Sequence, residues 1–175
     1  MEAANLGAAD RTGRLDEALE VVAQVPSFRP DIGAWASAGF RAKELLGSGD
    51  DLRSVGIPTW FYGHEPPNVF GDAIAKYFSN ALREDDLLAG SNDAVVVLEG
   101  AAGTVQEIFQ SVTPLYYAPD DAPLPDLVLV GQRQWTEMVP VWPALTALSE
   151  GKRFAEHLHL VETPGEALDI VLARA

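Results

Sequence analysis

Asp93-Ala-Val-Val-Val-Leu-Glu-Gly-Ala-Ala-Gly-Thr-Val-Gln-Glu107 carries the clearest structural signal in the chain. A short β-branched run ends in a Gly-rich turn, and the turn opens an amphipathic helix. Open α/β sheets build anion sites this way. A strand delivers the chain, small residues let a ligand approach the backbone, and free helix N–H groups face it. Gly100 and Gly103 permit the close approach, and Thr104 presents a hydroxyl and an N–H. Glu107 lies one helical turn on and points back toward the same end. The same residues also spell a capping box, with Thr104 capping the helix and Glu107 reaching back to it. Both readings stand on the residues alone.

Outward from this stretch, strands and helices alternate. Ile57-Pro-Thr-Trp-Phe-Tyr62 reads as a buried strand, and Gly63 to Pro67 as a loop carrying His64. Asn68 is expected to cap a long helix, because Phe70, Ile74, Tyr77, Phe78 and Leu82 recur every three or four residues. Ala94 to Leu98 is the next strand and Thr104 to about Tyr116 the next helix. Ala118 to Pro125 is an acidic, Pro-rich loop. Leu127 to Val130 is a third strand. Glu137 to His157 reads as helix interrupted by Pro140 and Pro143. His159 to Val161 is the fourth strand, and Pro164 opens a final helix with Glu166 in its first turn. Upstream, Met1 to Ala9, Leu15 to Val25 and Pro30 to Gly47 read as helices, the second stopped by Pro26.

Alternation of this kind predicts an α/β fold: a Rossmann-like three-layer sandwich with a mostly parallel sheet, in one domain spanning residues 1–175. Right-handed crossovers place the loops beginning at Gly63, Glu99, Gly131 and Glu162 on one rim, where ligands bind in such sheets.

Charge narrows the partners. Twelve basic against 26 acidic side chains leave a net charge of −14. Such a surface repels nucleic-acid backbones and anionic lipid. A nucleotide would need local cations or backbone N–H groups. The chain has no cysteine, which excludes disulfides, zinc thiolates and thiol nucleophiles. No apolar run reaches the roughly 18 residues of a membrane span, and no signal pattern opens the chain, so a cytoplasmic location is the default. His157 and His159 sit two apart with no obvious third ligand, so no metal site is expected. Arg83 has two readings: a solvated charge balancing Glu84, Asp85 and Asp86, or a guanidinium aimed at phosphate.

Glu99-Gly-Ala-Ala-Gly-Thr-Val-Gln-Glu107 resembles the Pro-Gly-Gly-x-Gly-Thr-x-x-Glu motif of the LOG (Lonely Guy) family of Rossmann-like nucleotide-binding proteins, long mislabelled lysine decarboxylases. Met1-Glu-Ala-Ala-Asn-Leu-Gly-Ala8 resembles the helix after that family's first Gly-rich loop, and the segment bearing Arg83 looks like the one with its catalytic Arg. The resemblance implies hydrolysis of the N-glycosidic bond of a nucleoside 5′-monophosphate, giving free base and ribose 5-phosphate. It makes Arg83 and Glu107 the catalytic pair, has Gly100, Gly103 and Thr104 hold the phosphate, requires no metal or cofactor, and implies a homodimer or larger homo-oligomer. The alternative is a non-catalytic nucleotide-binding or sensor domain of the same fold. The chain departs from the motif at Glu99, where the family has Pro, at Ala101, where it has Gly, and at Glu84, where many members have Lys. The family's first strand-helix unit and first Gly-rich loop have no counterpart in these residues.

Overall fold

A computed structural model describes residues 2–60 and 68–173. The chain divides into two compact units between Arg83 and Glu84.

The first unit opens with three helices, α1 (Glu2–Ala9), α2 (Leu15–Ala23) and α3 (Ile32–Leu46). Between α1 and α2 the Asp10 carboxylate accepts the backbone N–H groups of Thr12, Gly13 and Arg14 at 3.1, 2.8 and 3.2 Å. Asp31 caps α3 by accepting from Gly33 N and Ala34 N. Leu6, Ala9, Ala18, Ala42, Leu46 and Phe70 form this unit's core. Beside it, Arg11 bridges Asp51 and Asp72, and Arg53 pairs with Asp51.

Two expectations are corrected in this unit. The strand placed at Ile57 begins earlier, as β1 (Val55–Gly56), and Thr59 makes only an isolated bridge to Tyr77. Pro58 has no N–H, so the ladder continues through its carbonyl, which accepts from Tyr77 N at 3.0 Å. Phe61, Tyr62 and the Gly63–Pro67 loop with His64 lie outside the described residues. The long helix from Asn68 does not form. Residues 73–74 are a strand, β2 (Ala73–Ile74), paired in parallel with β1, and helix begins only at Asn80. Asn68 instead makes a tight turn, its Oδ1 accepting from Phe70 N at 3.0 Å. The Asp72 carboxylate holds Arg53 N and Ser54 N, which ties this segment beside β1. Phe70 is buried while Phe78 is 86% exposed, so the apparent helical stripe has no single buried face.

Helix α4 (Asn80–Ala89) carries the boundary between the units. The second unit then runs through β3 (Ala94–Val97), α5 (Ala102–Tyr116), β4 (Asp126–Val130), a π-helical turn (Gln134–Met138), α6 (Trp142–Ser149), a 3₁₀ segment (Arg153–His157), β5 (Leu158–Val161) and α7 (Pro164–Leu172). The helix expected from Glu137 to His157 is thus three shorter pieces, and Pro143 sits in the first turn of α6 rather than interrupting it.

The sheet order is β3-β4-β5, all parallel, with Val95 opposite Leu127 and Val128 opposite His159. Central β4 is buried along its whole length. Side-chain alternation splits it between two layers. Leu127 and Leu129 join Val97, Ile108, Trp135, Leu145 and Phe154 in the main core. Val128 and Val130 pack with Ala167 of α7 on the other face. Helices therefore cover both faces of a parallel sheet, and the chain has the mixed α/β, Rossmann-compatible architecture that the alternation predicts.

Candidate functional site

The strand–turn–helix at residues 94–116 takes shape with its helix starting two residues earlier than expected. Ala101 is the N-cap, with φ −121° and ψ −149°, and no side chain caps the helix. The Thr104–Glu107 capping box is therefore not formed. Thr104 already has helical backbone as the third residue of α5, so it cannot serve as the cap. Its side chain folds back over Gly100 instead. A Cβ at Gly100 would lie 2.1 Å from Thr104 Oγ1 and 2.6 Å from Thr104 Cβ, so only glycine fits there. A Cβ at Gly103 would meet nothing within 4 Å, which leaves the helix mouth open at that residue. Ala101 has an ordinary negative φ, so its departure from the family's Gly costs the turn nothing. With no capping side chain, the first N–H groups of α5 keep their donors and the positive end of the helix dipole available.

Glu107 is half-buried one turn into α5, and its carbonyl accepts from Ser111 Oγ at 2.8 Å. Gly100, Gly103, Thr104 and Glu107 thus share one turn and the helix it opens. Arg83 belongs to the first unit and is only 7% exposed, which overturns its reading as a solvated balancing charge. Glu84 is fully buried at 1% exposure and accepts a hydrogen bond from Gln106 Nε2 at 2.6 Å, while Gln110 donates to Asp85. These contacts join the middle of α4 to α5.

Neighbouring rim turns support the site; the linear pattern marks where they begin, at Gly131 and Glu162, but not Gln132 and Gln134 within them. Gly131 has φ +95°, the left-handed region that favours glycine, and the Glu99 carboxylate lies against it. Gln134 Nε2 donates to Gly100 O at 3.0 Å. The Glu162 carboxylate accepts from Gln132 N at 3.1 Å, and Glu166 from Glu162 N at 2.8 Å. The turns after β3, β4 and β5 are therefore linked in series, and four carboxylates, those of Glu99, Glu107, Glu162 and Glu166, lie in or beside them.

His157 Nδ1 and His159 Nε2 both meet Asp126 Oδ1, at 3.0 and 3.2 Å, at the opposite end of the sheet. Their shared partner is a buried carboxylate. Among the described residues no cluster of three or more His, Cys, Asp or Glu could hold a metal ion. A mostly apolar cavity of about 700 Å³, bordered by Leu88, Val95, Leu115, Leu124 and Asp126, opens at that same far end, away from the Gly-rich turn. No helix among the described residues is long and apolar enough to cross a membrane.

Neither models of known protein families nor curated proteins match this chain.

Proposed function

We propose that this chain is a LOG-like nucleotide-binding protein that hydrolyses the N-glycosidic bond of a nucleoside 5′-monophosphate. The observation that carries the reading is the uncapped start of α5 behind a turn where Gly100 has no room for a side chain and a Cβ at Gly103 would meet nothing within 4 Å. A phosphate held by those N–H groups and by Thr104 draws on backbone dipoles, which a chain of net charge −14 needs in order to attract an anion. Glu107, one turn along the same helix, supplies the carboxylate.

Cleavage of an N-glycosidic bond passes through an oxocarbenium-like state, and a carboxylate near the anomeric carbon stabilises that cation or directs water to it. The resemblance assigns the second catalytic role to Arg83, whose guanidinium would hold the substrate or stabilise the departing base. Neither step calls for a metal or a cofactor. By the same resemblance the working form is a homodimer or larger homo-oligomer.

Glu99 favours a second reading, a nucleotide sensor without turnover, because it puts a negative charge at the turn. Chromatography of a panel of nucleoside 5′-monophosphates incubated with the protein separates the two. Release of free base that disappears in Glu107→Gln is the expected result. Binding without release, measured on folded protein, selects the sensor. Release that persists in Glu107→Gln removes Glu107 from the mechanism.

A further inference from the structure

The Gly-rich turn is held from one side by the segment that follows β4. Gln134 Nε2 donates to the carbonyl of Gly100 at 3.0 Å. Gln134 is itself fixed, because the next residue, Trp135, is fully buried and its indole N–H donates to Val130 O at 2.9 Å. Gly131, at φ +95°, turns the chain into this segment. A Cβ there would lie 3.3 Å from Glu99 Oε1, so bare backbone makes room for that carboxylate beside Gly131.

A trans peptide directs its C=O and its N–H to opposite sides. Holding the Gly100 carbonyl toward Gln134 therefore turns the Ala101 N–H the other way. We propose that Gln134 is a positioning residue for the phosphate of a nucleotide: it orients the Gly100–Ala101 peptide so that the turn's N–H groups face the anion. The proposal rests on the nucleotide reading of this turn. It concerns the phosphate alone, since Gln134 acts on the turn and not on the base or the ribose.

Gln134→Met keeps the side chain's length and removes the donor. Gln134→Glu keeps its shape and sets an acceptor against the carbonyl. Calorimetry on both variants and on the unaltered protein would compare four nucleoside 5′-monophosphates with the corresponding nucleosides. The unaltered protein should bind a monophosphate more tightly than its nucleoside. Gln134→Met should weaken the monophosphate about three- to ten-fold, the worth of one hydrogen bond, and leave the nucleoside unchanged. Gln134→Glu should weaken the monophosphate further. Equal losses for monophosphate and nucleoside would reduce Gln134 to general packing and overturn the proposal. So would undiminished monophosphate affinity in either folded variant. Failure of the unaltered protein to bind any monophosphate would instead overturn the nucleotide reading, and the proposal with it.

Discussion

Replacing Gly100 by alanine would set a methyl group 2.1 Å from Thr104 Oγ1, inside any tolerable contact. Overpacking of this kind costs about 1–3 kcal/mol, which urea unfolding would register. Gly103→Ala meets nothing within 4 Å and sits inside a helix, so it should be neutral or stabilise by up to about 1 kcal/mol. Its methyl would still crowd a ligand at the turn, so nucleotide affinity should fall while stability does not. Equal stability losses in the two variants would contradict this assignment. Both glycines were legible in the linear pattern, but as equivalents. Their difference comes from the Thr104 side chain, whose direction depends on where the helix begins. Gly131 is legible as the start of a rim loop, but Gln134 is not, because more than thirty residues separate it from Gly100, its partner.

Two helix starts with the same residue pattern are capped differently. Thr163 and Glu166 form the capping box that the sequence pattern suggests for Thr104 and Glu107. Glu166 N donates to Thr163 Oγ1 at 3.3 Å, and Thr163 N to Glu166 Oε2 at 3.2 Å. Thr163→Ala should therefore cost about 1 kcal/mol. Thr104→Ala should cost no cap, and its effect should appear in nucleotide binding. A larger destabilisation by Thr104→Ala than by Thr163→Ala, measured by thermal melting, would reverse the two roles. Pattern alone could not choose, since both stretches read Thr-x-x-Glu and only the chain's entry into each helix separates them. The segment after Asn68 failed for a related reason. Its apolar spacing matches a helix, but the Asp72 carboxylate accepts from the backbone N–H groups of Arg53 and Ser54, and residues 73–74 pair as a strand with β1.

Across the molecule, acid should act through the first unit's carboxylates. Burial works against ionisation of Asp10, but hydrogen bonds from the backbone of Thr12, Arg14 and Gly13 outweigh it and hold its pKa below the usual 3.8. The hydrogen bond from the Arg53 side chain lowers Asp51, and the Arg53 backbone N–H lowers Asp72, with burial opposing in both. A carboxyl depressed in the folded state contributes stability that is complete above its unfolded value. That contribution is lost as pH falls from about 3.8 through the folded-state values. Melting temperature should therefore drop as pH falls below about 3.8, with hydrogen exchange rising first around residues 10–14 and 51–54. Exchange rising first along β4 would locate the acid-sensitive groups elsewhere. The alternation of strand and helix from residue 94 onward, the parallel sheet that follows from it and the Gly-rich turn can be read from the residues alone, because apolar periodicity and glycine placement are local properties of the chain. The pairing of β1 with β2, the burial of Arg83 and Glu84, the shared carboxylate of His157 and His159, and the Gln134 brace behind Gly100 emerge only in the folded protein. Each of these depends on partners distant in sequence or on the final packing, and burial and hydrogen-bond satisfaction choose such contacts only after the chain has folded.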